Sequence, residues 1–420
     1  MTARVARPLL VVTPWSPSSR HAGVVWLDPP LRRYPGPTAL VACERKGGDD
    51  DRDAAHDAPC LALPSPGRGQ AARRSLRRLP RLRARLWHRH LTRWSRAAAD
   101  RAARFAGDAF AAQGAVLGEA DARPRLWMLL NQEPATWYLA PRLAAALDAE
   151  LIATVMDPPE SFAALHDFRP HQAAPLLAVF DRAIAASTRL GAASAAMRDH
   201  YRARFGKGDA VLIHGLPRAQ QIAPRALPSS SDAPFVLAFA GTLYAKAEWR
   251  ALLDALDACD WRVPLVDGGH RPVRLRVLSA QLEVRGGAHT RIDYLGWRPV
   301  DAARAALAEA DAAYLPYWLD DPYETSTRLC FPNKLATYVG AGLPVFVHGP
   351  AEATPSRFVS THDCGVVCPT RDASQIIEAL GRLADPASHA ARAAGIHRAA
   401  RELSEETFLD ACGQLLGVID

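Results

Sequence analysis

Two doubly wound α/β domains in tandem, facing a central cleft, are what this sequence predicts, and three observations carry that reading. The chain has 420 residues, too long for one ordinary core and suited to two domains of about 200 residues each. Short apolar runs of strand length alternate with helix-length amphipathic stretches in both halves, and strand–helix–strand repeated gives a parallel sheet covered on both faces. A Pro- and Ser-rich, aliphatic-poor stretch, RAQQIAPRALPSSSDAP, interrupts the alternation near the middle and reads as a linker.

In the first half the expected strands are RPLLVVTP, PRLWMLLN, ELIATVMD, RAIAAST and AVLIHG. Helical patterns fall between the later ones, in TWYLAPRLAAALDA and LGAASAAMRDHYRARF. The pattern restarts with PFVLAFAG (strand) and EWRALLDALDAC (helix), then continues through VRLRVLSA, RIDYLGW, VDAARAALAEA, DAAYLPY, KLATYVGAG, LPVFVHG, CGVVC and SQIIEALGRLA. SEETFLDACGQLLGVID closes the chain as an amphipathic helix. The expected boundaries are a first Rossmann-like domain over 1–217 with a basic insert at about 43–125, a linker over 218–233, a second Rossmann-like domain over 234–403 and the terminal helix over 404–420. Such domains bind ligands at the carboxyl ends of their strands.

Composition excludes several classes. No apolar run approaches the ~20 residues of a membrane span. The opening MTARVARPLLVVTPW has a longest apolar run of five before Thr-Pro, short of the ~7 to 15 of a signal peptide, so a cytoplasmic protein is expected. Seven scattered cysteines show no Cys-x2-Cys spacing and are expected to be reduced thiols; neither CGVVC nor the Asp run at 49–51, which lies in a Gly- and Pro-rich stretch, reads as a metal site. Neither a metal nor a cofactor is expected.

The formal charge of +7 is uneven: residues 1–233 hold 33 Lys and Arg against 21 Asp and Glu, and residues 234–420 hold 18 against 23. Such asymmetry calls for an anionic partner on one side, phospholipid or nucleic acid. Residues 73–105 concentrate it, with 12 Arg against one Asp, interleaved with leucines and with Trp87 and Trp94. A basic, Trp-bearing amphipathic helix lies on an anionic bilayer, at ~1 kcal/mol per cation; Arg77, Arg81, Arg85, Trp87 and Trp94 are its membrane-facing candidates. A plain solvated helix or a nucleic-acid face is the alternative, although no nucleic-acid-binding signature accompanies the arginines, and nucleic acid is not expected as a partner.

Only four lysines stand among 51 cations, and two of them, Lys246 and Lys334, follow apolar strands. In FAGTLYAK a strand ends at Gly241, where backbone can approach a ligand closely, and Lys246 opens the next helix. In FPNKLATYVGAGLPVF, Pro332 suits a first helical turn, Asn333 and Lys334 lie at its N-terminus, and Ala341-Gly342 stops the helix before a buried strand. Two cations and two helix N-termini at one cleft suit a diphosphate.

FAGTLYAK, IDYLGW, ALAEADAAYLPY and FPNKLATYVGAGLPV, in that order over 235 to about 395, resemble the nucleotide-binding domain of GT-B glycosyltransferases, specifically the retaining bacterial polysaccharide and lipopolysaccharide family. The resemblance implies a metal-independent, retaining glycosyltransferase, hexosyltransferase-type, that moves a sugar from a nucleotide diphosphate sugar to a lipid-linked or polysaccharide glycan acceptor; with the basic first half holding the membrane, that acceptor is expected at the inner membrane face. It implies that Gly241, Thr242, Lys246, Asn333, Lys334 and Gly23 hold the donor diphosphate, with Gly23 following the first strand beside Arg20 and His21. Ser279, Trp297 and Thr337 fall on the nucleoside and ribose side, Thr337 where many members carry a ribose-binding Glu. Strict transfer of the family's catalytic-loop Glu lands on Leu329; Glu324, in DDPYETSTRLC, is the nearby candidate, with Tyr323, Thr325 and Arg328 in the sugar-binding loop. Asp157 at the end of ELIATVMD is the acceptor-side candidate for a catalytic role, and a capping carboxylate is its plain alternative. A nucleotide-sugar epimerase of the same fold and a non-catalytic glycosyltransferase-like subunit are the competing readings.

Overall fold

The structure, a computed structural model of the chain, describes residues 7–16, 25–44, 58–64, 79–115, 123–131, 133–228, 230–280, 289–320 and 324–418. It divides into two compact units, 1–212 with 409–420, and 213–408.

The first unit is built from β1 (Leu9–Thr13), α1 (Asp28–Arg33), β2 (Thr38–Ala42), β3 (Cys60–Ala62), α2 (Pro80–Ala112), β4 (Arg125–Leu130), α3 (Ala135–Ala146), β5 (Glu150–Val155), α4 (Pro159–Leu165), α5 (Pro170–Ala186), β6 (Arg189–Ala192), α6 (Ala195–Phe205) and β7 (Ala210–Val211). Its sheet runs β3-β2-β1-β4-β5-β6-β7, parallel at every pairing. The order reverses between β1 and β4, as in a doubly wound sheet. Every residue of β1 and β4 is buried, which is why these strands read as unbroken apolar runs rather than as alternation. Long α2 buries a stripe that includes Ala84, Leu91, Ser95, Ala98, Ala102, Ala106 and Ala109. The three- and four-residue spacing keeps that stripe on one side, and its small side chains allow the helix to lie close to its neighbours.

One strand assignment is corrected. RAIAAST does not form a strand; its first five residues close α5, and the strand is the following Arg189–Ala192. Phe180, Ala183 and Ile184 are buried at helical spacing, so the run is a helix face rather than a two-sided strand.

The second unit comprises β8 (Phe235–Ala240), α7 (Lys246–Ala258), β9 (Arg262–Pro264), β10 (His270–Leu278), β11 (Ile292–Tyr294), α8 (Val300–Ala308), β12 (Ala312–Pro316), α9 (Glu324–Leu329), α10 (Asn333–Gly340), β13 (Val345–His348), α11 (Thr354–His362), β14 (Gly365–Cys368), α12 (Ala373–Ala384), α13 (Pro386–Ala391) and α14 (Ala393–Glu402). The final helix, α15 (Glu405–Leu416), begins in this unit and ends in the first. The sheet order is β11-β10-β8-β12-β13-β14, with β9 antiparallel on β10.

Side chains alternate across this sheet. On one face Leu237, Phe239, Tyr314 and Phe346 pack with Trp249, Leu252 and Leu256 of α7 and Ile376, Leu380 and Leu383 of α12. On the other, Ala238, Ala313, Leu315, Val345 and Val347 pack with Leu335 and Val339 of α10 and Ile396 of α14. A Leu→Ala change in either layer costs about 2–5 kcal/mol. The stretch 213–228, the last five residues of the expected first domain and the front of the expected linker, belongs to this unit: Ile222 donates its N–H to the Gly340 carbonyl (2.8 Å), and Arg225 pairs with buried Asp311 (2.6 Å).

Candidate functional site

The sheet order of the second unit reverses between β8 and β12, and ligands gather at the carboxyl ends of strands at such a switch point. The chain leaves β8 through Gly241, whose φ of +95° falls where L side chains are strained. A Cβ there would also sit 2.9 Å from Lys334 Cε, so the backbone calls for glycine and any side chain would displace the end of Lys334.

Lys334 is the second residue of α10. Its Nζ donates to the Thr242 carbonyl at 2.6 Å and lies 4.1 Å from the Tyr244 ring centroid and 5.4 Å from that of Phe239. The ammonium is therefore held by one dipole and two aromatic faces, with no carboxylate partner among the described residues, and burial lowers its pKa to about 7. An anion arriving here would restore the charge that burial disfavours.

Tyr338, one turn along α10, fixes that arrangement. Its hydroxyl accepts the Ala240 N–H at 2.9 Å and donates to the Ala240 carbonyl at 3.2 Å. The final residue of β8 and the helix carrying Lys334 are thus tied together. Gly342, at φ +75°, ends the turn after α10 against the backbone of Ile222 and Ala223.

The remaining candidates divide clearly. Thr242 is exposed, and Lys246, also exposed, is the first residue of α7, whose N-cap Ala245 makes no side-chain cap bond. The first-turn amides of α7 thus receive no cap from the N-cap side chain. Asn333 is half-buried at the start of α10. Thr337 turns its hydroxyl back to the Asn333 carbonyl at 3.4 Å, a weak bond within its own helix. Ser279 is buried just beyond β10, and Trp297 is exposed beyond β11.

Glu324 and Arg328 face each other across one turn of α9 at 3.3 Å, both more than half exposed. Thr325 is half-buried between them. Ser326 and Thr327, polar groups of the same loop, are buried, and Thr327 donates to the Glu324 carbonyl, which turns it into the helix rather than toward a ligand. Asp157 is half-buried after β5 of the first unit, directly before Pro158, the N-cap of α4. Gly23, Tyr323 and Arg77 lie outside the described residues.

On α2, Arg81 and Arg85 are exposed as expected, but the tryptophans are turned elsewhere. Trp87 packs edge-on against Phe162 (5.1 Å) and His166 (4.9 Å), and Trp94 donates to the Pro64 carbonyl at 3.1 Å. The large apolar side chains that α2 and its N-cap expose are Leu79, Leu82 and Leu86. An edge-to-face aromatic cluster offers Trp87 more contact than solvent does.

One cluster escaped the sequence. Glu248, in the first turn of α7 and fully buried, accepts the Leu319 N–H and the Arg371 Nε, both at 3.1 Å, and a second Arg371 nitrogen. Arg371 reaches Asp320 as well, at 2.9 Å. The group ties the loops after β12 and β14 to the start of α7, and Glu248 Oε2 has no hydrogen-bond partner among the described residues. Beside it Tyr244 and Trp318 stack at 4.8 Å. The stripe Glu248, Trp249, Leu252, Leu253, Leu256 signals a buried carboxylate in the sequence; the Arg371 partner, 123 residues away, has no local signal.

Similar proteins now bear on these strand ends. The chain superposes on α,α-trehalose 6-phosphate synthase from Burkholderia multivorans with a TM-score of 0.59 at 13% identity, covering 99% of this chain and 97% of that one. For sucrose-phosphate synthase from Thermosynechococcus elongatus the values are 0.61, 14%, 98% and 98%. The fold is GT-B. WaaG, a glycosyltransferase involved in lipopolysaccharide biosynthesis, shares the GT-B fold with a TM-score of 0.55 at 12% identity, over 98% of this chain and 99% of that one. Residues 234–385 of the GT-B chain match the family model described as Glycosyl transferases group 1. They include Gly241, Lys246, Glu248, Glu324, Lys334 and Arg371. No curated protein matches the sequence.

Proposed function

We propose that this protein is a glycosyltransferase that takes a hexose from a nucleoside diphosphate sugar and passes it to a glycan or lipid-linked acceptor. The observation that carries the reading is Lys334: a half-buried ammonium without a carboxylate partner among the described residues, held against the glycine turn at the end of β8. A diphosphate there would meet Lys334, Lys246 and the first-turn amides of α7 and α10. As the sugar–phosphate bond breaks, those donors face the charge developing on the leaving diphosphate. The departing phosphate then takes the acceptor proton, which accommodates retention at the anomeric carbon without a dedicated base. Glu324 and Arg328 lie on the sugar side of this reading and Asp157 on the acceptor side.

What supports an acceptor at the inner membrane face is the exposed surface of α2. Leu79, Leu82 and Leu86 are exposed beside exposed Arg81, Arg85, Arg89 and Arg93, a pairing that suits an anionic bilayer. No helix among the described residues is long and apolar enough to cross a membrane. A second reading, a subunit that binds nucleotide without turnover, is favoured by Thr337, whose hydroxyl is engaged in its helix, and by the Glu324–Arg328 pair.

Thermal shift against UDP, GDP, ADP, TDP and CMP, followed by sugar release from the matching donor, tests both. Stabilisation by one nucleotide, lost in Lys334→Ala, and turnover of its sugar are expected. Stabilisation without turnover selects the second reading, and no stabilisation at millimolar nucleotide overturns both.

A further inference from the structure

The first unit contains a cavity of about 450 Å³ between α2, α3 and α5, within the ~300–1,000 Å³ of small-molecule sites. Its lining is largely apolar, from Pro141, Val179, Ala183 and Ala186, with Trp137 fully buried behind it and its indole N–H given to the Asn131 carbonyl. Five polar residues line it: Thr92, whose hydroxyl is given to the His88 carbonyl, and His88, Tyr138, Arg142 and Arg182.

A proton count gives the sign of that polarity. His88 Nδ1 and the Tyr138 hydroxyl are 2.7 Å apart and share one hydrogen bond. A neutral imidazole and a phenol carry two exchangeable protons between them, and that bond uses one. The other remains on Nε2 or on the hydroxyl, so the pair keeps a donor in reserve whichever tautomer is present. Burial and the nearby Arg182 charge both lower the His88 pKa, which places the guanidinium in the same neighbourhood. Arg142 and Arg182 form no ion pair or hydrogen bond with any described residue.

We infer that this cavity binds an amphiphilic anion, a phosphate head carrying an apolar tail, with the head between Arg142, Arg182 and the His88–Tyr138 pair and the tail along Pro141 and Val179. Two guanidinia and a spare donor suit a phosphate oxygen set, whereas the wall offers hydrocarbon nothing but apolar contact. None of these residues belongs to the proposed donor site, so the two proposals stand or fall separately.

Calorimetry of the full chain with decyl phosphate below its micellar concentration tests the site, with decyl maltoside and inorganic phosphate as controls. One equivalent of decyl phosphate should bind, and both controls should bind at least ten times more weakly. Arg142→Glu with Arg182→Glu, both at exposed positions, should reduce affinity at least ten-fold with an unchanged melting curve, and Val179→Trp should fill the cavity and abolish binding. Displacement by phosphatidylglycerol vesicles would support a bilayer lipid as the natural occupant, and displacement by naphthyl phosphate a soluble one. Failure of decyl phosphate to bind, equal binding of decyl maltoside, or unaltered affinity in the double charge reversal would overturn the inference.

Discussion

Helices α9 and α10 follow each other in the second unit, both are short, and each carries residues assigned to the reaction, yet they are held very differently. α10 is fastened to the end of β8 through Tyr338 and Lys334. α9 presents Glu324 and Arg328 to solvent, paired only across its own turn among the described residues. One side of the candidate site is therefore preformed before a ligand arrives, and the other has side chains free to exchange a weak internal pair for a new partner. Substitutions on the two helices should separate accordingly.

The largest loss is expected for Lys334→Ala. A charge-assisted contact contributes about 1.5–3 kcal/mol, so nucleoside diphosphate affinity should fall roughly 10- to 100-fold by calorimetry. Gly241→Ala comes next: the strained φ and the 2.9 Å approach to Lys334 Cε force the loop or the lysine to move, and a loss of about ten-fold should accompany a lower melting temperature. Arg371→Ala reads the anchoring of the neighbouring loops. Removing the partner of a fully buried carboxylate should cost about 2 kcal/mol of unfolding free energy in urea, moderated because Arg371 is about one-third exposed. Glu324→Gln closes the series, with less than about 0.5 kcal/mol in stability, so any larger effect on turnover would report contact with the sugar.

The charge state of Lys334 sharpens the same contrast. Its folded pKa, about 7, lies below the unfolded value, so the unfolded chain binds more protons between roughly pH 7 and 10 and this residue's contribution to stability rises with pH across that window. Ligand binding runs the other way, because a diphosphate selects the ammonium. Affinity should weaken as pH rises above 7, by up to about ten-fold per unit while the bound lysine stays charged. A Lys334→Met variant should lose that slope.

What could be read in advance follows from whether a signal is local. Strand-length runs and helical spacing reveal both sheets, and the Pro-Asn-Lys and glycine signals mark the two lysine-bearing helix starts. RAIAAST was misread because a short apolar run fits a strand and a buried helix end equally well. The turning of Trp87 onto Phe162 and the Glu248–Arg371–Asp320 group were not legible, since each depends on residues far apart in the chain. Thr337 lies between these cases: its identity is visible in the sequence, and its hydrogen bond to Asn333 emerges only in the folded helix.

The central claim is that Lys334, held over the turn at Gly241, receives the diphosphate of a donor. Parallel calorimetric titration of wild-type and Lys334→Met protein with the nucleotide that stabilises best, at pH 7 and pH 9, tests it most directly. The account predicts tighter binding at pH 7 than at pH 9 for the wild type, with proton uptake at the higher pH, and weak, pH-independent binding for the variant. Equal affinity of the two proteins at both pH values would contradict it.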